Sequence, residues 1–369
     1  MSEPLPDFLK TYRRGFLGLA SLLLLLVCRQ TVAAIEPSFN LQSCAWNGGV
    51  IVVATEGAKI DGQLIVLEVW KGGLKPGDVL SVPELAAFAP LPKRVVYSGY
   101  SAGRKSAAPA YVTGSRMVLF LTKPSHPGGS WQPADSPRGG MKASVVWIEG
   151  SVSYAFEQMI NPGPTLLTAF PTITEGNMKK MVLSIDGQQD RLRAAVQNPD
   201  PVLRSQALEP FVHSDLYYAR RDALDALSRC GRSALLVLRA MLRDETLADQ
   251  HGEIIEVICT VGGKSVGPEL TALIGSELSF WRKTAPRLRQ GWWNGTGLPW
   301  AKVQGLRDRY STLYSALIAL ARIKYQGDAK VVAELRDFWK SQPQLEDKSG
   351  LYQMTKTCDS ILREKSEGP

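Results

Sequence analysis

The chain has 369 residues, 44% of them hydrophobic, which is enough for two separate cores. Its formal charge of +8 is mild. No dense Lys/Arg stripe interleaves with aromatics, which excludes a nucleic-acid partner. The five cysteines form no C-x-x-C pair and no zinc spacing, and His126, His213 and His251 stand far apart. The composition therefore offers no metal centre, no cofactor motif and no dense disulfide framework.

Residues 1–34 read as an export signal. Lys10, Arg13 and Arg14 precede an apolar run from Phe16 to Val27, and Thr31-Val32-Ala33-Ala34 forms a small-residue exit. The run is shorter than the roughly 20 residues a membrane-spanning helix needs. Membrane contact is thus expected only through this signal if it stays uncleaved. "YRRGFLGLA" also resembles a twin-arginine signal, so two export routes stay open. The expected location is the periplasm or the cell surface. Cys28 would leave with the signal, while Cys44, Cys230, Cys259 and Cys358 would stay.

From about Cys44 to Phe156 the pattern predicts β structure. "GVIVVATEG", "GQLIVLEVWKG", "GDVLSVPEL", "SRMVLFLTK" and "ASVVWIEGSVSYAF" are apolar runs separated by turn residues. Lys71–Asp78 and Glu149-Gly150-Ser151 read as hairpin turns. An antiparallel meander curled into a barrel or sandwich fits these runs best. Cys44 before "VIVVATEG", then "VLEVWKGGLKPGDVLSV" and "GSRMVLFLT", resembles the secreted OB-like barrels of the netrin type. The resemblance covers about 80 residues and implies a fold rather than a ligand.

From about Thr174 the period becomes helical: Met178, Met181, Val182 and Ile185 fall at i, i+3, i+4 and i+7. Arg204, Ala207, Leu208 and Phe211 are matched by Arg220, Ala223, Leu224 and Leu227. "DALDALSRCGRSALLVLRAML" aligns with "EIIEVICTVGGKSVGPELTALI", with Gly231 on Gly262. Such self-matches mark stacked helical hairpins. The D-P-x-x-R-x-x-A-L pattern, followed by helix, glycine turn and helix, resembles HEAT-type repeats. Further helices are expected at Leu306–Ile323, Ala329–Trp339 and Leu351–Leu362.

Three stretches invite a functional reading. Gly99-Tyr100-Ser101-Ala102-Gly103 spells G-x-S-x-G, the nucleophile elbow of α/β-hydrolases. An elbow needs a helix directly after the serine, and Pro109 and Gly114 interrupt any helix there. "VGGKS" at 261–265 lacks the earlier glycine of a phosphate loop, since Ile258 holds that place, and it suits a turn between repeat helices. The third stretch is "FWRKTAPRLRQGWWNGTGLPW", which carries Trp281, Trp292, Trp293 and Trp300 with Arg282, Arg287 and Arg289. Aromatics and arginine dominate binding hot spots. The competing structural reading buries these tryptophans between the repeats and the final helices.

The expected architecture is an α+β multidomain chain. An export signal (1–34) precedes an antiparallel β-barrel or sandwich-like OB-like domain (35–160). A linker (161–174) follows, then an all-α HEAT-like solenoid (175–365) with a Trp-rich insertion (280–304). The expected function is a non-enzymatic scaffold or adaptor with a protein partner. Trp281, Arg282, Trp292, Trp293 and Trp300 are the candidate binding residues, and no residue is assigned to catalysis, cofactor or metal. The alternatives are a serine hydrolase using Ser101 and a glycan-binding module using the Trp-rich insertion.

Overall fold

A computed structural model describes residues 39–57, 62–83, 85, 94–97, 116–126, 129–134, 141–142, 145–149, 152–159, 166–170, 173–295, 297–325, 327, 329–342, 345 and 353–366. The chain divides into two compact units, Met1–Asp186 and Gly187–Pro369. The expected export signal lies outside the described residues. Among the described residues, no helix is long and apolar enough to cross a membrane.

The first unit opens with helix α1 (Leu41–Asn47), where the Asn40 side chain caps the first turn by accepting from Ser43 N at 2.9 Å. Cys44 therefore sits on a buried helix, which corrects the expectation of β structure from that residue onward. Ten strands follow among the described residues: β1 (Val50–Glu56), β2 (Gln63–Lys71), β3 (Val79–Ser81), β4 (Arg94–Tyr97), β5 (Arg116–Thr122), β6 (Gln132–Pro133), β7 (Met141–Lys142), β8 (Val145–Glu149), β9 (Val152–Met159) and β10 (Leu166–Phe170). They form a curled, mainly antiparallel half-barrel sheet, eight of them in the order β3-β2-β1-β5-β8-β9-β10-β4, with β6 paired to β5 and β7 to β9.

The two expected hairpins form, β2 with β3 and β8 with β9. The sheet is nevertheless not a meander. β1 lies between β2 and β5, and β10 pairs with β4 in parallel, from Leu166 opposite Arg94 to Ala169 opposite Tyr97. β10 lies within the stretch expected to be a linker. Its five residues, Leu166–Phe170, are apolar but for the β-branched Thr168 and long enough for a strand.

The two central strands explain the core. β1 and β5 are buried along nearly their whole length. Val50, Val52 and Ala54 pack with Met117, Leu119, Leu121 and Trp147 in one cluster. Alternate residues Ile51, Val53, Val118 and Phe120 are equally buried, and Phe39 meets Phe120 at 6.2 Å. In β2, Leu64 and Val66 are buried while Ile65 and Leu67 face water, the alternation of a sheet with one wet face. Helix α2 (Glu175–Val196) is tied to the sheet at its start. Arg116 donates to Glu175 at 2.7 Å, and Lys179 pairs with Glu68. Met178, Val182 and Ile185 are buried there, whereas Met181, at the edge of the stripe, is exposed.

The second unit is helical: α3 (Pro201–Val212), α4 (Tyr217–Arg229), α5 (Leu235–Met241), α6 (His251–Gly262), α7 (Gly267–Thr284), α8 (Trp300–Arg322), α9 (Lys330–Lys340) and α10 (Met354–Ser366). Asp200 starts α3 by accepting from Val202 N and Leu203 N, with Pro201 at the first helical position. The internal match is visible as local structure. A single 3₁₀ turn joins α4 to α5 (Gly231–Ala234), and another joins α6 to α7 (Gly263–Val266). Gly231 and Gly263 both take positive φ, +61° and +54°. The structural equivalent of Gly231 is thus Gly263, one residue beyond the sequence alignment. Gly262 is needed for another reason: a Cβ there would lie 2.2 Å from Val266 Cγ1.

Packing follows the same order. α4 packs on α6, α6 on α8 and α8 on α10, while α7 lies against α8 and α9. Arg239 of α5 donates to both carboxylate oxygens of Glu269 on α7, at 3.1 and 2.9 Å, linking equivalent helices of the two hairpins. α8 begins at Trp300, earlier than the expected Leu306, because Val303 extends its buried stripe of Leu306, Tyr310, Leu313 and Leu317.

Candidate binding site on the helical unit

The Trp-rich stretch divides into a buried part and a displayed part. After α7 the chain makes two 3₁₀ turns, Ala285–Arg287 and Trp292–Asn294. Gly291 and Gly295 flank the second at φ +84° and +83°. The adjacent Trp292 and Trp293 rings meet edge to face at 5.0 Å, one buried and the other half-buried. Trp281 is fully buried, and Trp292 is 2% exposed. Trp281 meets Trp292 at 5.9 Å, Trp339 of α9 at 5.6 Å and Tyr310 of α8 at 6.4 Å, in tilted and edge-to-face geometries. Both tryptophans hold the unit together and present no surface to a partner. Arg282 is exposed and donates to Glu334 at 3.0 Å, tying α7 to α9.

Trp293 and Trp300 stand differently. Trp293 is half-buried against Trp292 and Tyr310. Trp300 is 60% exposed. The guanidinium of Arg307 lies over both rings, 5.4 Å from the Trp293 centroid and 4.9 Å from that of Trp300. Its Nη2 donates to the Trp293 carbonyl at 2.6 Å. The exposed indole is therefore fixed from one side by a cation that is itself anchored to the backbone.

A groove of about 380 Å³ opens nearby between α7, the connecting segment and α8. Phe280, Leu288, Leu298 and Leu306 supply its apolar lining. Arg287, Lys302 and Arg309 supply charge, and no acidic side chain contributes. Arg309 stacks on Phe280 at 4.1 Å and donates to Glu277 Oε1 at 2.8 Å. Glu277 is buried, and this burial pushes its carboxyl above the usual range against the opposing pull of Arg309. Arg287 and Lys302 are exposed and have no ion-pair partner among the described residues. The sequence pointed to the tryptophans and to Arg287 but not to Phe280, Leu288, Leu298 and Lys302. Only the two 3₁₀ turns bring these residues together.

The other stretches fall elsewhere. Gly99–Gly103, with Ser101, lies outside the described residues. In "VGGKS", the Ser265 hydroxyl donates to the Gly262 carbonyl at 2.7 Å, closing the turn between α6 and α7. Tyr218 is buried under Arg221, and Arg220 donates to the Ser214 carbonyl. Cys44, Cys230, Cys259 and Cys358 are buried, and none of them forms a disulfide among the described residues. Cys230 and Cys259 contact different carbonyls, those of Ala226 and Ala319. Among the described residues, no group of three or more His, Cys, Asp or Glu side chains could hold a metal ion. No family model matches the chain, and no curated protein or solved structure matches it either.

Proposed function

We propose that the protein is an exported, non-enzymatic adaptor that binds another protein through one face of its helical unit. The observation that carries this reading is an apolar groove rimmed by the unpaired cations Arg287 and Lys302, on the same helix α8 that displays Trp300. Exposed aromatics and arginine with a desolvated apolar pocket have the composition of an interface hot spot. We read the helical unit as a HEAT-like solenoid. The two helix–3₁₀–helix modules, their matching glycines and the Arg239–Glu269 link support this. The half-barrel sheet is consistent with an OB-like domain of the netrin type, and the export route rests on residues 1–34.

Affinity capture from an extract of the source organism tests the adaptor role. The full chain is compared with Trp300→Ala/Lys302→Glu and with Leu236→Ala, a control at another exposed apolar residue. A protein held by the full chain and by the control, but lost from the double variant, supports the reading. Equal capture by all three removes the groove from it.

A further inference from the structure

We infer that the α7–α8 groove is built for a short peptide segment in which apolar side chains alternate with carboxylates. The inference deepens the adaptor reading and rests on it. The apolar part of the argument is the lining. Leu288 and Leu306 form a buried floor, while Phe280 and Leu298 are half-buried walls. A cavity of about 380 Å³ holds one or two large aliphatic or aromatic side chains and is too small for a folded surface to enter.

The charged part selects the sign. Of the three cations at the groove, Arg309 is already neutralised by Glu277, and its plane is spent on the Phe280 ring. Arg287 and Lys302 keep their charge unpaired and stand exposed on the connecting segment and on α8. Arg307, next in the chain to the groove residue Leu306 and stacked against Trp293 and Trp300, adds positive potential to this end of α8. With no acidic lining residue, a basic segment would meet only like charge, and a neutral apolar segment would leave both cations unanswered. A carboxylate placed beside an apolar anchor satisfies Arg287 by a forked contact and Lys302 as a point charge.

The test is selection of a displayed random dodecapeptide library on the full chain, followed by anisotropy titration of the enriched peptides. Enrichment of Leu or Phe next to Glu or Asp is expected. Affinity should fall at least about tenfold in Arg287→Glu/Lys302→Glu and should weaken with added salt. Both substituted residues are exposed, so far-UV circular dichroism should stay unchanged. A second variant, Leu298→Asp, should abolish binding by filling the apolar wall with charge. Enrichment of basic or uncharged peptides, no enrichment at all, or binding unaffected by both variants would overturn the inference. In each of those cases capture dependent on Trp300 can still succeed, so failure of the peptide class is distinguishable from failure of the adaptor role.

Discussion

Truncating Trp281 and truncating Trp300 should have opposite consequences, although both tryptophans belong to one stretch. Trp281 is fully buried, and four other rings stand within 6.4 Å of its centroid: Phe280, Trp292, Tyr310 and Trp339. Replacing a core tryptophan by alanine costs about 3–5 kcal/mol, including the cavity left behind. The aromatic contacts, about 0.5–1.5 kcal/mol each, lie within that sum and are not additive. Trp300 is already 60% exposed, and its alanine variant gives up mainly one exposed cation–π contact, about 0.5–1 kcal/mol. Urea unfolding followed by helical ellipticity should therefore separate the two variants by at least about 2 kcal/mol. Trp300→Ala should keep the stability and lose the partner. A Trp281→Ala variant within about 1 kcal/mol of Trp300→Ala would refute the division into core and displayed tryptophans.

Other expectations follow from buried and paired groups. Burial raises the folded-state pKa of Glu277 above its ordinary 4.5, so the folded state holds that proton more tightly. The resulting stability is present below the ordinary value and is lost as pH rises through the raised one. Wild type should accordingly lose stability relative to Glu277→Gln across that window, and a difference that grows in the opposite direction contradicts the assignment. Cys44 and Cys358 are pushed up to about 12 by burial, so iodoacetamide at mildly alkaline pH should leave both unlabelled until urea is added. Peptide mass mapping of the native protein reads this, and rapid native labelling of either thiol counts against it. A double-mutant cycle on Arg239 and Glu269 should give a coupling of about 0.5–1 kcal/mol that shrinks with salt, since both side chains are about a third exposed. Titration with soluble polysaccharides should leave the tryptophan fluorescence unchanged. Saturable quenching that is lost in Trp300→Ala would favour a glycan ligand.

Local patterns carried much of the architecture. The change from short apolar runs to a helical period, the Lys71–Asp78 turn and the glycines at 231 and 262–263 were readable because each is encoded within a few residues. The pairing of β10 with β4 was not, since these strands lie some 70 residues apart and nothing local fixes their partnership. Burial of the tryptophans was open to sequence reading, but which of the four are buried was hidden for the same reason. Trp281 is a core residue because Tyr310 and Trp339 come back to it from later helices, and no window around Trp281 contains them. The groove depends on the path of two 3₁₀ turns, which place Leu288 and Leu298 opposite Phe280 and Leu306. The tryptophan cluster thus marked the right region, while the displayed residues proved to be Trp300, half of Trp293 and the neighbouring cations.

The central claim is that the face around Trp300 meets a protein partner. Site-specific incorporation of a photoreactive phenylalanine at position 300, and separately at exposed position 236, tests it most directly in the source cells. A discrete crosslinked band from position 300, absent from position 236 and suppressed by Lys302→Glu, is the expected result. No band at 300, or the same bands from both positions, would contradict the account.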